Sequence, residues 1–418
     1  MAQLVLYVYT AFFIGRVHEL LPFLASMRIV FVLGLVSVVS ALLTPWRAKN
    51  HVLMQREVRI VIALCVLAVI VTPLGVWPGG SWSFLTDIFS RILVFFFLVV
   101  ALATSRRVIQ RLLWSVLTGV ALLGIFTVGG GVAVATVYGG RAYASSTYDP
   151  NDVSMIMVCA LPLAAFAAVA LRGVGRVLAT AAAVVYVLAT IMTLSRGGFI
   201  GLIVVSLLLL FRLGTAALGR RLVILGVVVT ILATAAPARY WDVMSTIWSP
   251  RAGGEYLESG VFSRIALWEG GLNLFLDDPL TGAGIGMYEV AEGLSHGGRG
   301  KWSAAHNSFI QVAAELGILG LALFAALIVV SLRNARQAVR AAKSEVRLRP
   351  LAWIAVAVET SLYAYVVEGF ALSQAYSPML YFLIGIATAL RLQVELRPQP
   401  VTPTAATAIT RAPQPVAE

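Results

Sequence analysis

Cysteine and acidic residues are the two scarcities that first bound this chain. Its two cysteines, Cys65 and Cys159, both lie inside apolar stretches. Neither a disulfide framework nor a CxxC metal or redox pair is therefore available. Asp and Glu number 19 against 31 Lys and Arg, and charged residues make up 12% of the 418, where an ordinary soluble domain has about 25%. In place of charge the chain is 60% hydrophobic, with a mean hydropathy of +0.91, more apolar surface than a soluble core can use. A net charge of +12 would suggest nucleic acid. The basic residues, however, fall in short breaks between apolar runs, the pattern by which membrane proteins fix their orientation, so no nucleic-acid partner is expected. The N-terminal stretch has no charged n-region or small-residue cleavage site, and no cleavage is expected.

A hydrocarbon core about 30 Å thick needs roughly 20 apolar residues per helix. On that template the chain reads as an all-α integral membrane protein with about 12 transmembrane helices. The first four lie near Gln3 to Gly15, Leu21 to Leu43, Val58 to Trp77 and Phe84 to Ala103. The next four lie near Arg111 to Gly129, Val153 to Leu171, Arg176 to Leu194 and Gly198 to Phe211. The last four lie near Arg221 to Ala236, Ser308 to Leu332, Leu351 to Leu372 and Ser377 to Leu390. Nine helices thus fill 1–236, an enlarged loop 237–307, three helices 308–390, and a Pro-, Thr- and Ala-rich tail 391–418 has too little apolar surface to fold.

Alternate breaks carry the basic residues: Arg47, Lys49, Arg56 and Arg59; Arg106 and Arg107; Arg172 and Arg176; Arg212, Arg220 and Arg221; and Arg333, Arg336, Arg340, Lys343, Arg347 and Arg349. The positive-inside rule puts these in the cytoplasm, with both termini. The enlarged loop then lies on the opposite, outer face. Within it Ile265, Trp268, Leu272 and Phe275 recur at helical spacing, which predicts a helix with an apolar stripe, lying on the bilayer or capping the bundle. Gly282-Ala-Gly284-Ile-Gly286 mimics a dinucleotide fingerprint, but no strand precedes it, and a glycine-rich turn is the better reading.

Several polar residues of the outer face call for an explanation. Burying an arginine in a membrane costs about 2.5 to 3.5 kcal/mol on insertion scales. Arg196, between two spans in Leu194-Ser195-Arg196-Gly197-Gly198, therefore asks for a partner. The glycines let a ligand approach the backbone where the next helix presents free N–H groups, an arrangement suited to a phosphate; the plainer alternative is an arginine snorkelling to lipid headgroups. Arg264 opens the amphipathic segment as a second fork for an anion or as a solvated loop charge. Arg141 precedes Tyr148-Asp149-Pro150-Asn151-Asp152, whose acidic residues suit a helix cap. His306, in Ala305-His306-Asn307-Ser308, has a reference pKa near 6.5 and as neutral imidazole can accept a proton; alone it would be a polar helix end. His296 has no ligand-spaced partner, so no metal site is expected. Asp87, Glu359 and Glu368 fall within apolar segments, to pair with arginines or line a polar cavity.

Three motifs occur in order: Ser195-Arg196-Gly197-Gly198 at the start of a span; Ser263-Arg264 with Leu267-Trp268, followed by Pro279 to Gly286; and His306-Asn307-Ser308 with Glu315-Leu-Gly317. Together with Asp149 to Asp152 before a span, they resemble the O-antigen ligase and O-antigen (exopolysaccharide) polymerase family of membrane glycosyltransferases. The resemblance covers roughly the C-terminal two-thirds of the chain. It implies a GT-C-like helical fold and a metal-independent transferase, with no cofactor, acting at the periplasmic face of a bacterial inner membrane. The implied donor is an undecaprenyl-diphosphate-linked glycan; the acceptor is a lipid A-core sugar in ligases and another repeat unit in polymerases. Carried over by position, Arg196, Arg264 and Arg141 bind the diphosphate, His306 activates the acceptor hydroxyl, and Asp152, Asn307 and Glu315 support them. A transporter or flippase of a lipid-linked glycan or small anion, and a scaffold for glycan export, remain the competing readings.

Overall fold

The computed structural model describes residues 1–45, 52–129, 141–212, 236–247, 261–298 and 302–395, with isolated positions between 213 and 235. The elements described are helical. Along the chain they are α1 (Ala2–Gly15), α2 (Ile29–Leu42), α3 (Arg56–Leu74), α4 (Pro78–Leu102), α5 (Arg106–Val128), α6 (Pro150–Ala170), α7 (Val174–Met192) and α8 (Arg196–Arg212). There follow α9 (Val261–Asp277), α10 (Tyr288–Ser295), α11 (Ser308–Ser344), α12 (Ala352–Gly369) and α13 (Pro378–Glu395). Seven helices, α3 to α7, α11 and the segment Val346–Gly369 that contains α12, are long and apolar enough to cross a membrane. With α1 and α2 as shorter apolar helices, this is an all-α integral membrane protein.

α6 is the centre of the bundle. It is apolar on every side and buried along nearly its whole length, as a helix enclosed by other helices should be. α5, α7, α8 and α12 pack around it, and small residues let them come close. At the α1–α5 crossing Gly15 and Gly119 bring the two backbones together so tightly that a Cβ on Gly15 would overlap the Gly119 carbonyl, the small-residue contact expected between membrane helices. The outward faces stay apolar: Phe31, Val32, Leu35 and Val39 of α2, Ile62, Val66, Val69 and Ile70 of α3, and Ile200, Ile203 and Leu207 of α8 are exposed. Patches of that extent are unfavourable in water and suited to lipid.

Several expected boundaries move. The second span begins at Ile29 rather than Leu21, because Pro22 and a left-handed Arg28 (φ 47°) break the chain before it. α11 runs on to Ser344, so Arg333, Arg336, Arg340 and Lys343 stand on a helical extension and not in a loop. α13 continues to Glu395, so the start of the expected tail is helical. All but isolated positions of the expected span Arg221 to Ala236, and the whole of 396–418 and 130–140, lie outside the described residues.

The amphipathic helix of the enlarged loop is present as α9, but its buried face is rotated from the expected stripe. Ile265 and Leu272 are exposed, whereas Arg264, Leu267, Trp268, Gly271, Leu274 and Phe275 are buried or half-buried. Gly271 explains the shift: its missing side chain leaves room for Ile310 of α11 and for the Tyr288 ring, and close packing outweighs the hydrophobicity of single positions. α9 thus caps the bundle on α11, with Ile265, Leu272 and Leu276 outward.

Candidate functional site

Segments distant in sequence converge at one end of the bundle, the end opposite the arginine-rich breaks. The start of α6 is organised by a capping box: the Asp149 carboxylate accepts from the Asn151 and Asp152 N–H groups at 2.7 and 2.8 Å, and the Asp149 N–H donates to Asp152 Oδ2 at 3.3 Å. Pro150 at the first helical position suits it, having no N–H to satisfy. Asp152 also accepts from Gln374 Nε2 at 2.6 Å, which ties α6 to the turn between α12 and α13. Asp152 is a cap and a tether, the structural alternative for this residue.

Asn151 is the next link. Its Oδ1 accepts from Arg141 Nη2 at 2.6 Å and from Ser195 Oγ at 3.1 Å. Arg141 Nε also donates to the Thr193 carbonyl at 2.8 Å. The turn into α8 is thereby fixed, with Leu194 left-handed (φ 52°) and Ser195 Oγ accepting from the Gly198 N–H at 3.2 Å as a helix cap. Gly198 is required there, since a Cβ would run into Ser154 of α6. Arg196, half-buried, reaches the other way and donates to Thr246 Oγ1 at 3.3 Å.

From the enlarged loop, α9 brings Arg264 into the same region. Its guanidinium is pulled down to a pKa of about 10 by burial, then by the fields of Arg196 and Arg141, against the weaker attraction of Glu368 and Asp149. One turn on, Trp268 Nε1 donates to the His306 carbonyl at 3.4 Å, so α9 and the entrance of α11 are joined at the two candidate residues. His306 is left-handed (φ 47°). Its pKa falls to about 4, first through burial and then through Arg264, with Arg141 and Arg196 adding and Asp149 opposing. Its imidazole forms no hydrogen bond among the described residues, and at neutral pH it is an unprotonated base. Asn307 next to it is a helix cap, accepting from the Phe309 and Ile310 N–H groups at 2.9 and 3.2 Å.

Glu315 belongs to the frame rather than to the charged group. Its carboxylate accepts from Tyr376 Oη at 2.8 Å, from Gln311 Nε2 at 3.3 Å and from the Tyr288 N–H at 3.4 Å. The glycine-rich turn after Pro279 docks on the break in α11 at Gly317 (φ 64°): Ala283 and Gly284 donate to the Ala314 and Glu315 carbonyls at 2.8 and 3.0 Å, and Ile318 donates to the Pro279 carbonyl at 2.8 Å. The glycines serve helix–loop contact, as the glycine-rich-turn reading expects. His296 pairs with Glu292 at 3.4 Å.

Two charged residues of this end gave little sign in the sequence. Arg16 lies over the Tyr148 ring at 5.0 Å, and Glu19 accepts from Ser145 Oγ, the Thr147 N–H and Thr147 Oγ1 at 2.5, 3.0 and 2.7 Å. These bonds hold the Glu19 carboxyl below the usual range against the upward push of burial. The available signal was the charged run Arg16-Val17-His18-Glu19 in the outer break after the first span. The intramembrane carboxylates divide. Glu359 pairs with Arg212 and, at 3.1 Å, with Arg336 at the other end. Asp87 accepts from Ser83 Oγ at 3.0 Å. Glu368 is fully buried, with both oxygens unbonded among the described residues.

The arrangement is that of an integral membrane protein with a half-buried basic cluster at one end, in which Arg141, Arg196 and Arg264 gather beside a neutral histidine. Residues 181–325 match the O-antigen ligase family model, a stretch that contains Arg196, Arg264 and His306 and leaves Arg141 and Asp152 outside. The match supports a membrane glycan ligase or polymerase role and a glycosyltransferase-like enzyme. A search of curated proteins gave no match.

Proposed function

We propose that the protein transfers or polymerises a glycan carried on undecaprenyl diphosphate at the periplasmic face of a bacterial inner membrane. The observation that carries the reading is the gathering of Arg141, Arg196 and Arg264 beside His306 at one end of the bundle, where burial first and then the fields of Arg196 and Arg141 lower the pKa of Arg264. A diphosphate there relieves the repulsion, and preorganised guanidiniums stabilise its charge as it leaves without a metal. The acceptor hydroxyl oxygen bonds to the anomeric carbon while the bond from that carbon to the diphosphate oxygen breaks. The bonding pair departs with undecaprenyl diphosphate, and the hydroxyl proton passes to His306. One in-line displacement inverts the anomeric configuration. The positive-inside rule supports the orientation, with both termini cytoplasmic.

A carrier would need charged groups along a path through the bundle. The pairing of Glu359 at one end and the gathering of Arg141, Arg196, Arg264 and His306 at the other favour surface chemistry.

The test replaces His306 and Arg196 singly with alanine in a complemented deletion strain, with membrane levels matched, and resolves cell-surface glycan on a gel. Collapse to single repeats identifies a polymerase. Polymer that stays off its lipid A-core acceptor identifies a ligase. Wild-type glycan from both variants refutes the catalytic reading and moves transport or scaffolding to the front.

A further inference from the structure

At the opposite end of the molecule the ends of α3, α11 and α13 enclose a cavity of about 360 Å³, lined by Arg56, Val330, Arg333, Asn334, Gln337, Arg391 and Glu395. It shares no residue with the site described above. Arg391 is engaged by Glu395 at 2.8 Å. Arg56 and Arg333 form no ion pair and donate no hydrogen bond among the described residues. Asn334 is buried and donates to the fully buried Glu57, so the cavity floor is fixed by a polar contact between α3 and α11. The amide of Gln337 stands at the exposed rim. Three guanidiniums therefore face the Glu395 carboxylate, with the buried Glu57 carboxyl, on which Arg391 and Arg56 act electrostatically, behind the floor, across a space large enough for a phosphate and its substituent.

The surroundings say what kind of phosphate fits. On α3, which begins at the lining residue Arg56, Ile62, Val66, Val69 and Ile70 are all exposed and share one helical face. A soluble phosphate has no use for that apolar strip, whereas the acyl chain of a phospholipid covers it. We infer that this cavity is a binding site for the phosphate headgroup of an anionic phospholipid of the leaflet at the arginine-rich end, held by Arg56 and Arg333 with its chains along α3. Arginine forks match phosphate oxygens in pairs, and each basic residue near a headgroup contributes about a fivefold preference for an anionic lipid.

Native mass spectrometry of the full chain released from nanodiscs of equal phosphatidylglycerol and phosphatidylethanolamine tests this. Wild type is expected to retain phosphatidylglycerol preferentially, and Arg56→Gln with Arg333→Gln to lower that preference by roughly 25-fold. Gln337→Glu, which removes no arginine and places a carboxylate at the rim, should lower it too, and keeps the test open if the double variant fails to fold. Arg347→Gln, on the same face outside the cavity, should leave it unchanged. Equal retention by wild type and the Gln337→Glu variant overturns the inference. So does full displacement of the lipid by inorganic phosphate, which would make the cavity a free-phosphate site.

Discussion

The Glu368 carboxyl of α12 occupies the space that a side chain at Gly201 of α8 would take, and it also lies against Gly197, one turn nearer Arg196. The helix that begins with the candidate diphosphate arginine is thus seated on a buried carboxyl by two glycines. Gly201→Ala is expected to force the helices apart and to destabilise the protein by about 1–3 kcal/mol, the usual cost of overpacking. A thermal melt of the purified protein in detergent measures it. Glu368→Ala in the same chain should restore most of the loss, and a double variant no more stable than Gly201→Ala would show that the two residues do not share this space.

The acid side of the pH profile follows from His306, whose pKa is lowered to about 4 by burial and then by Arg264. The imidazole is deprotonated above that value, so kcat/KM for transfer should hold down to about pH 5 and fall near pH 4, well below the free-histidine value near 6.5. A bound diphosphate offsets the arginine fields that help lower the pKa. The limb seen in kcat should therefore lie at higher pH than that in kcat/KM. For stability the sign is opposite to that of a paired histidine: the unfolded chain takes up this proton near pH 6.5 and the folded chain near 4, so stability drains away as pH falls through that window. Removing His306 should flatten that dependence in pH-resolved melts.

Gly317 has φ 64° and ψ −165°, and a Cβ there would come within 2.6 Å of the Leu280 carbonyl oxygen. Gly317→Ala should cost about 1–3 kcal/mol through backbone strain and should loosen the turn after Pro279. Faster hydrogen exchange at Ala283 and Gly284, whose N–H groups donate to α11, is the expected readout. Unchanged exchange there would contradict the docking role.

Glu19→Ala removes the acceptor that joins the region after α1 to Ser145 and Thr147. A hydrogen bond to a charged group contributes about 1.5–3 kcal/mol, less where water can replace it. The expected result is earlier proteolytic cleavage around residues 141–149 at native temperature, with Glu19→Gln intermediate. Cleavage at the wild-type rate would place the order of this segment elsewhere.

Much of the fold was legible in the chain because membrane helices obey one strong local rule. Without water, each backbone polar group must be satisfied inside its own helix, so apolar length alone marks them, and α5 to α7 start within a few residues of the expected places. Boundaries failed where something other than apolarity decided them. Pro22 and Arg28 interrupt an apolar run, and α11 continues into Arg333 to Lys343, where charge ends the bilayer but not the helix. The face of α9 was misjudged because Gly271, with no side chain to signal burial, makes the closest contact.

The sequence by itself determined the all-helical membrane class, the separation of the two ends by charge, and the residue types suited to an anion and a base, because composition and periodicity are local properties. Only the tertiary structure decided which of those residues share a site. Asn151 joining Arg141 to Ser195, and Trp268 joining α9 to His306, are contacts across 10 to 44 positions of chain. The same packing gave Asp152, Asn307 and Glu315 structural partners and left Glu368 and the cavity at Arg56 and Arg333 to be found. Burial and electrostatic fields act through space and not along the chain, so the lowered pKa of His306 was set first by desolvation and then by the arginines that folding brought beside it.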